Sequence, residues 1–186
     1  MLGQVSHRRE PMRTVSPNIL YFGTPVALIS SWNEDGTTNL APISSFWALG
    51  WTMTLGLLDE TKTAENLARH AECVVNLPAP SMWKMVEKLA PLTGKDPVPE
   101  LKAKQFRTEK DKFAASGFSR RDSEVVRPSR AAECPIQMEA EVLSLHISSS
   151  TPAYRCELLR ARHSRRVKEA QAPLPVAVFE HRGFQP

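Results

Sequence analysis

The residue types best suited to chemistry lie at the start of a predicted helix. Thr61, Lys62 and Thr63 open this segment, and Asn66 follows one turn later. A helix N-terminus presents unpaired backbone N–H groups and a partial positive charge. Two hydroxyls and an ammonium add three donor groups at the same point. This combination predicts either a phosphate-binding site or an ordinary capped surface helix with an exposed lysine.

A second polar set lies on a strand-like segment, residues 37–47. Pro42 has no amide hydrogen, so this strand must lie at a sheet edge or break near Pro42. Asn39 supplies a side-chain amide, and Ser44 and Ser45 supply hydroxyls. The segment therefore predicts either a ligand-binding strand with free backbone groups or a polar edge strand.

Familiar catalytic signatures are absent from the sequence. It contains no Gly-x-Ser-x-Gly motif, no P-loop and no Gly-x-Gly-x-x-Gly motif. The five histidines show no zinc-ligand spacing such as His-Glu-x-x-His. We therefore expect no metal centre and name no catalytic side chain.

The elements that must position these residues are mostly strands. Residues 24–32 form an apolar run of strand length, and Asp35-Gly36 predicts a hairpin into residues 37–47. Residues 51–58 alternate apolar and polar side chains, which predicts a third strand with one apolar face. Residues 136–147 predict a later strand whose apolar phase slips after Val142, as at a β-bulge.

Two helices are predicted between these strands, separated by a short strand over residues 73–77. Thr61 or Thr63 caps the first helix, and Ser81 caps the second. The buried stripe of the first is predicted at Ala64, Leu67, Ala68 and Ala71. The buried face of the second is predicted at Met82, Met85, Val86, Leu89 and Ala90.

Residues 92–132 have a different composition. They contain 16 charged residues among 41 and three prolines. We interpret them as a long surface excursion with one or two helical turns. Loops of this length in a compact domain usually have a function or are mobile.

The bulk composition narrows the class of protein. The 186 residues are 41% apolar, which allows a real core, and no stretch approaches the ~20 apolar residues that span a bilayer. The net charge of +4 lies in residues 151–186, which hold seven Lys and Arg against three Glu, whereas residues 1–150 hold 17 of each sign. A neutral body makes nucleic acid an improbable partner. Three cysteines without a Cys-x-x-Cys pair favour a reducing, cytoplasmic setting.

Several motifs, in order, resemble one family. The chain reads Tyr-Phe-Gly-Thr-Pro-Val-Ala-Leu-Ile-Ser-Ser-Trp from residue 21, Asp-Gly-Thr-Thr-Asn-Leu-Ala-Pro-Ile-Ser-Ser-Phe from residue 35, and Thr-Lys-Thr-Ala-Glu-Asn-Leu-Ala-Arg from residue 61. Glu-Cys-Val-Val-Asn-Leu-Pro, Lys-Phe, Ser-Gly-Phe and Glu-Cys-Pro-Ile-Gln-Met-Glu follow by residue 139. Roughly residues 18–147 thus resemble the flavin reductase-like family of FMN-binding split barrels.

The resemblance implies a mainly β fold, a Greek-key-like antiparallel barrel with flanking helices. It also implies an FMN held non-covalently at a homodimer interface, with NAD(P)H as co-substrate of an NAD(P)H:flavin oxidoreductase. The segment along the flavin ring and ribityl chain matches Asn39, Ala41, Pro42, Ser44 and Ser45. The segment at the phosphate matches Thr61, Lys62, Thr63 and Asn66. The flavin would accept the hydride, so no catalytic side chain is required.

Residues 151–186 depart from the family pattern. We expect an N-terminal arm over residues 1–18, the barrel domain over 19–150, and a divergent basic segment over 151–186. That segment is a folded strand that completes the barrel, a flexible extension, or the product of an altered reading frame. Its arginines do not show the alternation of a buried strand.

Two further hypotheses remain beside the reductase. The chain is an FMN-binding module that carries electrons for a partner, or an interaction protein whose basic tail contacts nucleic acid or acidic lipid. The 92–132 excursion is the candidate cover over the exposed flavin face. The four tryptophans (Trp32, Trp47, Trp51 and Trp83) are expected in the core or at a dimer interface.

Overall fold

The computed structural model describes residues 24–149 and the strand over residues 154–166. Within that last strand, side chains are described at residues 159–162. The predicted arm over residues 1–18 and residues 167–186 of the predicted basic segment lie outside the described residues.

Within the described residues, the main element is a seven-stranded antiparallel sheet. Its strands are β1 (Ala27–Trp32), β2 (Thr38–Ile43), β3 (Phe46–Leu49), β4 (Thr52–Leu58), β5 (Glu72–Leu77), β10 (Ile136–Ile147) and β11 (Tyr154–Arg166). Their order across the sheet is β2-β1-β5-β10-β11-β4-β3. The predicted mainly β class is confirmed.

Short elements fill the connections. The helices are α1 (Lys62–Arg69), α2 (Trp83–Leu89) and α3 (Lys112–Ser116). The short strands β6 (Leu92–Thr93) and β7 (Arg107–Thr108) pair in parallel, and β8 (Arg120–Arg121) and β9 (Arg130–Ala131) pair antiparallel. One-turn 3₁₀ helices cover Pro80–Met82 and Glu100–Lys102.

The predicted hairpin and edge strand are both present. β1 and β2 pair from Trp32↔Thr38 to Ala27↔Ile43, and Gly36 in the turn has φ +80°, which glycine adopts without strain. β2 is at one edge of the sheet, so Pro42 costs no ladder bond on the outer side. The chain then leaves the ladder after Ile43 and resumes at Phe46, which confirms the predicted break.

The helix predictions need correction in their details. Thr61 caps α1, but α1 ends at Arg69, and Ala68 and Ala71 are exposed rather than buried. Ser81 does not cap α2, because it lies within the 3₁₀ turn that Pro80 opens. Ala90 is also exposed. The alanines misled the pattern because they fit either face of a helix.

Two apolar clusters form the core. One lies between the sheet and α1; it includes Met53, Leu55 and Leu57, the alternating face predicted for β4. The other packs α2, α3 and the 92–132 segment against Leu28 and Leu40 on β1 and β2. Part of the predicted surface excursion is therefore core: Leu92, Phe113, Phe118 and Ala131 are buried. Because 16 of its 41 residues are charged, the composition of the segment did not reveal these few buried apolar residues.

β10 carries the predicted irregularity and a buried acid. Its register with β11 shifts between Val142 and Ser144, which confirms the predicted slip, and again between Glu139 and Ala140. Glu139, placed by alternation on a polar face, is fully buried. Its carboxylate accepts hydrogen bonds from the backbone N–H groups of Glu124 and Val125, at distances of 2.7–3.0 Å. It thereby fastens the 92–132 segment to the sheet.

The arginine-rich segment folds as an interior strand. β11 lies between β10 and β4 and pairs with both. Leu159 is fully buried, whereas Arg160 and Arg162 are exposed, so the segment does alternate where its side chains are described. The structure through residue 166 therefore matches the folded-strand alternative. Arg160 and Arg162 lie on the solvent face, where an antiparallel sheet with one solvated face tolerates charge.

Candidate functional site

The two predicted polar sets meet where β2, α1 and the loop after β6 converge. Asn39 on β2 and Thr63 in the first turn of α1 are each 2% exposed, and Asn39 Nδ2 donates to Thr63 Oγ1 at 3.4 Å. Gly94 closes the third side. A Cβ there would lie 2.9 Å from Asn39 Oδ1 and 3.0 Å from Lys62 Cγ, so glycine permits this close approach.

The start of α1 has free backbone donors. Thr61 Oγ1 accepts from the backbone N–H of Ala64 at 3.1 Å, and the Thr61 carbonyl accepts from the Glu65 N–H at 3.1 Å. Among the described residues, the backbone N–H groups of Lys62 and Thr63 have no acceptor. Such groups at a helix N-terminus favour an anionic ligand.

Asn66 connects α1 to β1. It is fully buried, and its Nδ2 donates to Ser31 Oγ at 3.0 Å and to Asn33 Oδ1 at 2.8 Å. Its Oδ1 accepts from Arg69 Nη2 at 2.9 Å. Both ends of this amide are therefore engaged within the chain, and they fix the orientation of α1 on the sheet.

Lys62 belongs to an ion cluster that the sequence pattern did not reveal. Its Nζ lies 2.5 Å from Glu65 Oε1, and the Lys95 ammonium contacts the other oxygen of the same carboxylate. Burial acts to raise the pKa of Glu65, but hydrogen bonds and charge from Lys62 and Lys95 outweigh it and hold that pKa at about 2. The i, i+3 spacing of Lys62 and Glu65 was the available sequence signal; Lys95 gave none.

Two cavities flank Lys62. The larger, about 730 Å³, lies in the size range of ligand pockets. It is lined by Glu34, Glu60, Lys62, Glu65, Lys95, Asp96, Pro97, Pro99, Glu100 and Leu101. The smaller, about 320 Å³, shares Glu34, Lys62 and Asp96 with it. Lys62 thus separates two spaces whose rims carry both signs of charge.

The link between β2 and β3 holds the remaining predicted residues. Ala41, Pro42 and Ser44 are half-buried, and Ser45 is exposed. Ser45 Oγ donates to the Gly56 carbonyl at 2.8 Å, and the Gly56 N–H donates to the Ser45 carbonyl at 2.7 Å. The Ser45 hydroxyl therefore anchors this link to β4.

The donors at the α1 end of the site fit a phosphate-bearing cofactor. They are the free N–H groups of Lys62 and Thr63 and the Lys62 and Lys95 ammonium groups, and Gly94 lets the loop after β6 approach the Lys62 side chain closely. The arrangement contains no nucleophile paired with a base, so it can bind and orient a group that brings its own chemistry.

Comparison with known proteins agrees with this geometry. Residues 19–185 match the flavin reductase like domain, so the chain belongs to the flavin reductase-like family. It is 41% identical over 152 residues to YdfE of Bacillus subtilis (strain 168), an uncharacterized protein; this covers 81% of the chain and 73% of YdfE. Membership of the family supports a flavin ligand and flavin-related oxidoreductase activity.

Solved structures show the fold. A Shewanella frigidimarina protein described as a flavin reductase with a split barrel domain is 16% identical with a TM-score of 0.65, covering 79% of this chain and 69% of its own. Flavoredoxin of Desulfovibrio vulgaris (Miyazaki F) is 14% identical with a TM-score of 0.68, covering 85% and 78%. The predicted split-barrel fold is confirmed.

No helix in residues 24–149 is long and apolar enough to cross a membrane.

Proposed function

We propose that the protein is an FMN-dependent oxidoreductase that transfers hydride from NAD(P)H to a flavin. One observation carries this proposal: the free N–H groups of Lys62 and Thr63, with the Lys62 ammonium, lie beside buried Asn39 of the edge strand β2. Such a cluster suits the phosphate of FMN, and β2 and the link after it carry the residues that match the ribityl and ring segment.

Each predicted site residue has a role in this proposal. The phosphate would be held by Thr61, Lys62 and Thr63, and the ribityl chain and ring would lie along Asn39, Ala41, Pro42, Ser44 and Ser45. Asn66 would support the phosphate end by fixing α1 on β1. Bound FMN would supply the hydride-accepting centre. The residues of the chain would bind and orient FMN and shield its ring from water.

A homodimer is part of the proposal. On the edge formed by β3 and β4, Trp47, Leu49 and Trp51 are 63%, 69% and 64% exposed in the single chain. Exposed apolar groups clustered on one edge are typical of interaction surfaces. A second copy of the chain would cover them and would close one side of the β2–β3 link, where the flavin ring is proposed.

A reducing, cytoplasmic location is also proposed. Cys73 and Cys134 are buried free thiols. Burial, together with the charge of Glu133, raises the pKa of Cys134 to about 12, so its thiol is unreactive at neutral pH. Both cysteines therefore serve as small core residues, which requires no oxidising environment.

The visible spectrum of the purified protein tests the function. A flavin band that bleaches on anaerobic addition of NADH or NADPH would support the reductase. A flavin band that bleaches with dithionite but with neither nicotinamide would favour the electron-transfer module, a reading consistent with the likeness to flavoredoxin. A colourless protein that takes up no added FMN would refute both. Salt-sensitive binding of nucleic acid or acidic lipid, lost on truncation after Ser150, would then favour the interaction protein.

A further inference from the structure

We propose that Lys95 is a second lysine ligand of the FMN phosphate, beside Lys62, and that Glu65 holds both ammonium groups in place for it. The proposal rests on the proposed function. It adds a residue from the 92–132 segment to a site that the sequence assigned to β2 and α1 alone.

The backbone of Lys95 is fixed beside the helix start. Its N–H donates to Thr93 Oγ1 at 3.2 Å, and its carbonyl accepts from Thr108 Oγ1 at 2.9 Å. The preceding Gly94 lies against Asn39 and the Lys62 side chain. The position of Lys95 is therefore set by the β6–β7 pair and not by a free loop.

Both ammonium groups converge on one carboxylate. Lys62 Nζ bonds Glu65 Oε1, and Lys95 Nζ bonds Glu65 Oε2. An ammonium has three donors, so each lysine keeps donors for a second anion. Both lysines also line the 730 Å³ cavity, whose other charged lining residues are acidic, and Lys62 carries one of the free N–H groups of α1. A phosphate at that point would meet both charges at once.

Glu65 is suited to a positioning role. Its pKa of about 2 keeps it ionised at every pH at which the protein would work. Arg69 Nη1 lies 3.7 Å from its Oε1 and gives it a third cationic neighbour. Glu65 would therefore remain paired when the lysines turn part of their donors to a phosphate. Without the Glu65 carboxylate, the Lys62 and Lys95 ammonium groups would repel each other and move apart.

Paired titrations of FMN and riboflavin test the assignment, because riboflavin lacks the phosphate. Affinities are measured by flavin fluorescence for the unmodified protein, Lys95→Met, Lys95→Arg and the matched control Lys104→Met, which removes an exposed lysine of the same segment. We expect Lys95→Met to weaken FMN at least tenfold and riboflavin less than twofold. Lys95→Arg should recover most of the loss, and Lys104→Met should change neither affinity.

Other outcomes separate the two levels of the proposal. Equal loss for both flavins, or no loss for FMN, would overturn the role of Lys95 and leave the proposed function standing. Where riboflavin binds too weakly to measure, the FMN affinities of Lys95→Met and Lys104→Met decide alone. Thermal melting of each variant without flavin shows whether that variant is folded. If Lys95→Met is not folded, Lys95→Arg replaces it in the test. Its FMN affinity should then fall with added salt as steeply as that of the unmodified protein, and a different slope would count against the role of Lys95. Absence of flavin binding in the unmodified protein would refute the proposed function itself.

Discussion

The two edges of the sheet satisfy their surfaces in different ways. At the β2 edge, polar side chains are buried and joined to one another by hydrogen bonds, through Asn39, Thr63 and Asn66. At the β3 edge, large apolar side chains, Trp47 and Leu49, are exposed. The polar groups of the first edge pair within one chain, whereas the apolar side chains of the second edge are exposed in the single chain. This difference is what the proposed function requires, with a ligand site at the first edge and a dimer contact at the second.

The largest effect should come from the β3 edge. Leu49→Arg would place a charge in the proposed contact, and burying an unpaired charge is prohibitive. We expect the unmodified protein to sediment as the proposed dimer and Leu49→Arg as a monomer, with at least 100-fold weaker association, in sedimentation velocity runs. Trp83→Arg is the control, because Trp83 is also exposed but lies on α2. A variant that remains dimeric would show that this edge is not the contact.

At the β2 edge, the buried network should respond through stability. Asn66→Leu would leave Ser31, Asn33 and Arg69 without their amide partner. The free energy of unfolding should fall by about 2–3 kcal/mol, as for loss of several buried hydrogen bonds. Urea denaturation measures it, with exposed Ala68→Leu as a control on α1. A loss below ~0.5 kcal/mol would mean that the network does not stabilise the fold.

The strands at both edges could be predicted from the sequence, but the ion cluster beside α1 could not. The hairpin, the break after Pro42 and the alternating face of β4 follow from local rules, because turn chemistry and a two-residue period leave few options. Glu65 and Lys95 could not be paired in this way, since their contact depends on how the β6–β7 pair packs against α1. Local sequence therefore predicted the elements of the proposed site, and tertiary packing brings the charged side chains of Glu65 and Lys95 together beside them.

The same limit explains the errors in the 92–132 segment. Its charged residues predicted a surface excursion, yet Phe113 and Phe118 complete a core cluster and Glu139 fastens the segment from β10. A few buried anchors suffice to fold a charged segment, and their partners lie far away in sequence. Arg160 and Arg162 of β11 show the opposite case, because their exposure on one face allows charge on an interior strand.

Lys62 tests the ligand side of the β2 edge directly. Lys62→Ala should weaken FMN binding by about 1–3 kcal/mol, the cost of a charge-assisted hydrogen bond. Isothermal titration of the variant beside Lys88→Ala, which removes an exposed lysine of α2, gives the comparison. Unchanged FMN affinity would remove Lys62 from the phosphate site.

A point substitution tests whether the 92–132 segment covers the flavin face. Removing the segment would not, because its buried residues are part of the core. Leu101 is 66% exposed and lines the larger cavity, so Leu101→Asp should spare the fold. If this face covers the nicotinamide, the Michaelis constant for NADH or NADPH should rise a few-fold while FMN affinity stays constant. Steady-state kinetics beside Val125→Asp, another exposed apolar residue of the segment, measures the effect. Equal constants for the two variants would argue against a cover at Leu101.

The smallest effect concerns the charge that joins these elements. The pKa of Glu65 is about 2 in the folded chain against an ordinary value of 4.5, so its ionisation favours folding. That contribution is fully present above pH ~4.5 and is lost as the pH falls toward 2. Allowing for solvent screening of a partly exposed pair, it should be about 1 kcal/mol. Urea denaturation between pH 6 and pH 3 should show a shallower loss of stability for Glu65→Gln than for the unmodified protein. Parallel pH profiles would mean that the lysines gain no more from Glu65 in the folded chain than in the unfolded one. The Glu65–Lys95 ion pair between α1 and the 92–132 segment would then position the two lysines without stabilising the fold.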